Sequence, residues 1–181
     1  LMEQHGMLAN IRAHSFMVAK IAGLLAEELR TKSSQPLDLQ LCISGALLHD
    51  IAKTSCLTNG RNHAKAGAEL CRSLNFPEIA EIVAGHVVLP NFSPERYIAG
   101  IFFPVEIVYY SDKRVLHDQI VSLPERLDYI LDKYSGGDAR RQEGIRDNFK
   151  KCRLLEERLF SFLNFAPDRL MEQIEKWTAP L

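Results

Sequence analysis

Apolar residues recur at helical spacing along almost the whole chain. Ile11 to Leu29 carries Val18, Ile21, Ala22, Leu25 and Leu29 on one stripe, the pattern of an amphipathic helix. The polar stretch Thr31 to Pro36 ends it, and Asp38 suits the N-cap of a second helix running to about Lys53. Asn59-Gly60 marks a loop; Asn62 can cap a third helix through about Leu74, and Pro77 fits the first turn of a fourth. Pro90 to Phe103 has no clean period and reads as a long ordered loop. Pro104 opens a fifth helix through Val115, and Leu123–Tyr134, about Ala139–Leu163 and Ala166–Trp177 supply three more. No segment alternates like a strand, so the expected fold class is all-α.

Several residues that can bind a metal sit on the apolar stripes of these helices. His14 shares its stripe with Val18, Ile21 and Leu25. Asp50 lies with Ile43, Ala46 and Leu47, and His49 lies on the adjacent stripe with Cys42 and Ala46. His86 follows Ile79, Ile82 and Val83, while Asp112 follows Val105 and Val108 and precedes Val115. His63, at the start of the third helix, is less firmly turned inward. One histidine on an apolar stripe is more often a core residue bonded to a carbonyl. Buried together, however, three histidines and two aspartates would each need a separate partner, and two clustered carboxylates without a cation would repel. One shared metal centre satisfies them all, since imidazole nitrogen and carboxylate oxygen both ligate divalent transition metals. His5 and His117 lack this placement.

The run Ala46-Leu47-Leu48-His49-Asp50-Ile51-Ala52-Lys53, with His14 before it and His63, His86 and Ser111-Asp112-Lys113-Arg114 after it, resembles the HD-domain metal-dependent phosphohydrolase superfamily. The resemblance covers about residues 8–135. It implies an HD-domain helical bundle with the metal site between core helices. It also implies a site of His14, His49, Asp50 and Asp112, which dinuclear members extend by two histidines at the places of His63 and His86. Asp50 would then bridge two ions of Mn, Fe, Co, Ni or Zn and be the central catalytic carboxylate. Ala52 stands where the commonest form of the motif has Gly, and no Gly-Tyr-Pro motif is present, which argues against the cyclic-di-GMP-degrading branch. The surroundings of His63 and His86 look more like small bacterial HD proteins that split dinucleoside tetraphosphates.

The implied activity is hydrolysis of a phosphoester or phosphoanhydride bond of a nucleotide by metal-activated hydroxide. Lys53, one turn beyond His49, is the candidate to hold the phosphate or steady the leaving group; Arg61 and Arg114 are candidate substrate-binding cations. On an ideal helix Lys113 and Arg114 face away from Asp112, so at most one of them reaches the site. A non-catalytic metal- or nucleotide-binding HD module and a di-iron oxygenase on the same fold are the alternatives.

Composition narrows the setting. The 181 residues suit a single HD domain spanning 1–181, with core at about 8–135 and C-terminal helices at about 139–178. A formal net charge of −1 gives no global field to draw in nucleic acid or an anionic membrane, so a small phosphate substrate is expected and nucleic acid is not. No run is long enough to span a membrane, no signal-peptide pattern is seen, and four scattered cysteines argue against a disulfide framework, so a cytoplasmic location is expected. The amphipathic helices after Ala139 leave three roles open: packing on the core, capping the pocket, or forming a homodimer interface.

Overall fold

In a computed structural model, described over residues 1–178, the chain is helical apart from one short hairpin. The helices are α1 (Ala9–Leu29), α2 (Leu39–Leu48), α3 (Lys53–Cys56), α4 (His63–Ser73), α5 (Pro77–Gly85), α6 (Pro94–Ile98) and α7 (Pro104–Lys113). Strands β1 (Val115–Leu116) and β2 (Gln119–Ile120) follow, then α8 (Leu123–Tyr134), α9 (Ala139–Ser161), a 3₁₀ turn at Pro167–Arg169 and α10 (Leu170–Lys176). Both expected caps form, Asp38 accepting from the Leu41 N–H at 2.9 Å and Asn62 from the Lys65 N–H at 3.0 Å, and Pro77 sits in the first turn of α5 as expected.

Three expectations need correction. The second helix stops at Leu48 rather than near Lys53, and His49–Ala52 continue in tight turns, with Ile51 N–H on the Leu48 carbonyl and Lys53 N–H on that of Asp50. The Pro90–Phe103 segment is not all loop: Ser93 caps α6, which Pro94 opens. The fifth helix ends at Lys113, and Val115 pairs with Ile120 in the hairpin, whose tight turn puts His117 at φ +57°.

Helix α1 is the axis of the fold. Val18, Ala19, Ile21, Ala22, Leu25, Ala26 and Leu29 are all fully buried, because the helix is apolar around most of its circumference and is covered by α2, α7 and α10. Helix α2 also packs on α5 and α7, and α4 pairs with α5 over a smaller apolar cluster that includes Ile51, Ala68, Cys71 and Val83. The C-terminal helices pack on the core: Phe149, Cys152, Leu155 and Leu159 of α9 are buried, and the Tyr110 hydroxyl donates to Glu156 at 2.6 Å. All four cysteines are buried and unpaired. Among the described residues no helix is long and apolar enough to cross a membrane.

Glu106 shows how a charge is accommodated away from the site. It is 1% exposed, yet it receives hydrogen bonds from the Arg96 guanidinium, the Tyr97 hydroxyl and the Phe103 N–H.

The α2–α5 contact depends on Gly45, where a Cβ would come within 2.6 Å of Ile82 Cδ1. These two helices end at His49 and His86. Gly45→Ala is therefore expected to lower stability by about 1–3 kcal/mol, measured by urea unfolding, because the helices must separate to admit the methyl group.

Candidate metal centre

The metal-competent side chains come from five helices or helix ends. His14 projects from the second turn of α1, His63 begins α4, and Asp112 is in the last turn of α7. His49 and His86 occupy the C-cap positions of α2 and α5. The three helix C-termini bring the negative ends of their dipoles toward the cluster, an arrangement that favours a cation.

Backbone carbonyls fix how three of the imidazoles point. His14 Nδ1 lies 2.8 Å from the His117 carbonyl oxygen, His49 Nδ1 lies 2.6 Å from that of Ala46, and His86 Nδ1 lies 2.7 Å from that of Val83. Each Nδ1 must carry a proton to donate to its carbonyl, so in the neutral ring each Nε2 presents a lone pair. Those Nε2 atoms turn inward. His14 Nε2 is 3.0 Å from Asp112 Oδ1; His49 Nε2 is 3.4 Å from Asp50 Oδ2 and 3.7 Å from Asp112 Oδ1; His86 Nε2 is 3.6 Å from Asp50 Oδ1. His63 Nε2 closes the cluster, 3.2 Å from Asp50 Oδ1 and 3.2 Å from His86 Nε2.

Two groups of donors result, each compact enough to hold a metal: His14, His49 and Asp50, and Asp50, His63 and His86. The fit can be judged from the atoms left over. His49 Nε2 and Asp50 Oδ1 are buried and have no hydrogen-bond partner among the described residues, although other donors and acceptors crowd around them. A ring lone pair facing a carboxylate oxygen is costly; a proton on His49 Nε2 relieves one such contact, and a metal cation relieves them together.

The charge states agree. Burial alone would raise the carboxyl of Asp50, but the His49 charge and contacts from His49, His63 and His86 hold it well below the usual carboxylate range. Burial likewise opposes ionisation of Asp112, and Lys113, His14, His49 and Arg126 overcome it. His49 is pushed up to about 9: burial pulls it down, and the two aspartates outweigh burial. His86 is held down at about 4, chiefly by burial.

All six expected ligands, His14, His49, Asp50, His63, His86 and Asp112, are thus gathered in one cluster. Lys53 donates to Asp50 Oδ2 at 2.6 Å, and Arg61, on the cleft rim, reaches Glu69 at 3.3 Å. Arg114 is not brought to the site. Its φ of −97° takes it off the end of α7, and its guanidinium is bonded to Tyr110, Glu156 and the Pro167 carbonyl. Lys113 is the member of that pair that reaches Asp112, at 3.1 Å, with a second bond to the His86 carbonyl at 2.6 Å. Two contributors were missed in the sequence. The His117 carbonyl orients His14, which a reading of side chains does not reveal. Arg126 lies beside Asp112 on the Leu123–Ile130 face of α8, where the helix-face test applied to His14 would have found it.

Because His49 is protonated below about 9 in the metal-free protein, loading a divalent metal at pH 7 is expected to release about one proton per chain. The release should diminish as the pH is raised toward 9, where the proton is already lost. Calorimetric titrations in buffers of different ionisation enthalpy measure it; loading at pH 7 with no proton released would contradict the arrangement.

The HD-domain family profile, "HD domain", matches residues 11–134. Among curated proteins, ribonuclease Y of Treponema pallidum (strain Nichols) is 30% identical over 131 residues, covering 70% of this chain and 24% of that protein. Ribonuclease Y of Aquifex aeolicus (strain VF5) is 32% identical over 129 residues, 70% of this chain and 22% of that protein. A tRNA (cytidine(56)-2′-O)-methyltransferase of Picrophilus torridus is 28% identical over 166 residues, 86% of this chain and 45% of that protein. The chain spans between about a quarter and less than half of these relatives' length. No solved structure gives a significant match. With the motif, the donor cluster and a match over most of its length in agreement, the chain belongs to the HD-domain family.

Proposed function

We propose that the chain is a metal-dependent phosphohydrolase that cleaves a phosphoester or phosphoanhydride bond of a nucleotide. The observation that carries this reading is the position of Asp50. Its Oδ1 faces His63 and His86, its Oδ2 faces His49 and Lys53, and it lies on the wall of a cleft of about 1070 Å³. A carboxylate so placed suits two ions, one held with His14, His49 and Asp112, the other with His63 and His86. Mn, Fe, Co, Ni and Zn all accept this donor set. When bound, such ions supply a water acidified to near neutrality and polarise a phosphoryl oxygen.

The chain's own residues prepare the rest of the reaction. Lys53 stays protonated: burial lowers it, but the charges of Asp50 and Asp112 raise it above the usual lysine value. It offers a point charge to the phosphate or leaving group. Arg61 on the rim can exchange its exposed Glu69 partner for a substrate oxygen. Val87, Val88, Ile130 and Tyr134 line the same cleft and give a nucleobase an apolar wall. The cleft has the size of a small-molecule site. The relatives named ribonuclease Y act, by that name, on RNA, whose cleavage also breaks a phosphoester bond, and this supports the reaction class.

The test is hydrolysis by the metal-reconstituted protein of a panel of nucleoside phosphates, dinucleoside polyphosphates and short RNA. Turnover of at least one nucleotide is expected. Asp50→Ala should lose bound metal and activity, whereas Lys53→Ala should keep its metal and turn over about 100-fold more slowly. No hydrolysis of any member by fully loaded protein, or full activity in Asp50→Ala, would refute the reading.

A further inference from the structure

Among the described residues three lysine or arginine side chains are buried: Lys113, Arg114 and Arg126. Lys113 and Arg114 are fully engaged by the bonds described above. Arg126 is different. It is 8% exposed, and among the described residues its guanidinium makes no hydrogen bond. Its Nε is sealed from solvent without a partner. The one carboxylate oxygen within ion-pair range, Asp112 Oδ1, is 3.7 Å from a terminal nitrogen, beyond hydrogen-bond reach.

Its position is imposed by α8. Leu123, Leu127 and Ile130 turn the apolar face of that helix to the core, and Arg126 falls on the same face. Tyr129 lies alongside, 5.5 Å from the guanidinium carbon to the ring centre. Arg126, Ile130 and Tyr134 of α8 all line the cleft that Asp50, Lys53, His63, His86 and Asp112 line from the other side. A guanidinium is always charged, and removing its donors from water without acceptors is costly. Nε is the donor so sealed, and because Arg126 lines the cleft an acceptor for its terminal nitrogens can come from there. It must be anionic, able to engage a planar fork, and seated next to Asp112.

We propose that Arg126 is the phosphate-holding residue of this site, its fork taking two non-bridging oxygens of the phosphoryl group presented to the His/Asp cluster. The proposal rests on the phosphohydrolase reading for its substrate class and extends it by assigning α8, which supplies no metal ligand, to substrate capture. If Arg126 served only as a counter-charge for Asp112, its removal would disturb metal content and leave anion affinity per loaded site untouched.

Inorganic phosphate binding to the zinc-loaded chain, measured by calorimetry alongside metal content, separates the two roles without requiring turnover. Arg126→Lys keeps the charge but removes the fork, and is expected to retain metal while weakening phosphate affinity about tenfold. Arg126→Ala should weaken it about 100-fold; if that variant fails to fold, the lysine variant decides. Phosphate bound through Arg126 by a protein that hydrolyses nothing would support this residue's role and contradict only the hydrolase reading. Unchanged phosphate affinity in Arg126→Lys, or no phosphate bound by the loaded wild-type chain, would overturn the proposal.

Discussion

A carboxylate removed almost completely from water must be neutralised, and the site is built around that requirement at Asp50, which is 1% exposed. Lys53 answers one of its oxygens, but Oδ1 has only imidazole nitrogens near it and no hydrogen bond. The rings of His14, His49 and His86 already give their Nδ1 protons to carbonyls, so as neutral rings they offer lone pairs rather than donors. Proton transfer to His49 relieves part of the conflict in the metal-free chain. A divalent cation relieves more, because it is attracted at once to the carboxylates, the lone pairs and the three helix C-termini.

The fold serves this requirement through helix ends rather than helix middles. At a C-cap the side chain can reach back to its own last turn, and both His49 and His86 do so with the same three-residue spacing, which aims Nε2 away from the helix. Gly45 lets α2 and α5 approach closely enough for the two rings to come within 5.0 Å of one another. Helix α1 delivers His14 from one side, and the turn of the β1–β2 hairpin supplies the carbonyl that orients it.

Much of this was legible in the sequence, for a physical reason. A polar residue on an apolar stripe is costly wherever it occurs, so placing residues on helix faces found His14, His49, Asp50, His86 and Asp112 without knowledge of the tertiary structure. His63 lies at a helix start where the stripe is undefined, and only the family resemblance selected it. Two of the errors arise where ideal-helix geometry fails, at helix ends. Arg114 was assigned to substrate, but it leaves the helix one residue after α7 stops and turns to Glu156 on α9. The termination of α2 at Leu48 was hidden by the apolar pattern that runs on through Ile51. The cleft wall from α8 and α9 depends on contacts distant in sequence, although Arg126 itself stands on the apolar face of α8 and is legible by the same test of helix faces.

The most direct test of the central claim is the number of metal ions bound by the wild-type chain. Protein stripped with chelator, reconstituted with Mn or Zn and freed of excess would be assayed by elemental analysis. About two ions per chain are expected from two donor groups that share Asp50. A chain that remains folded and binds no metal after reconstitution would contradict the account at its base.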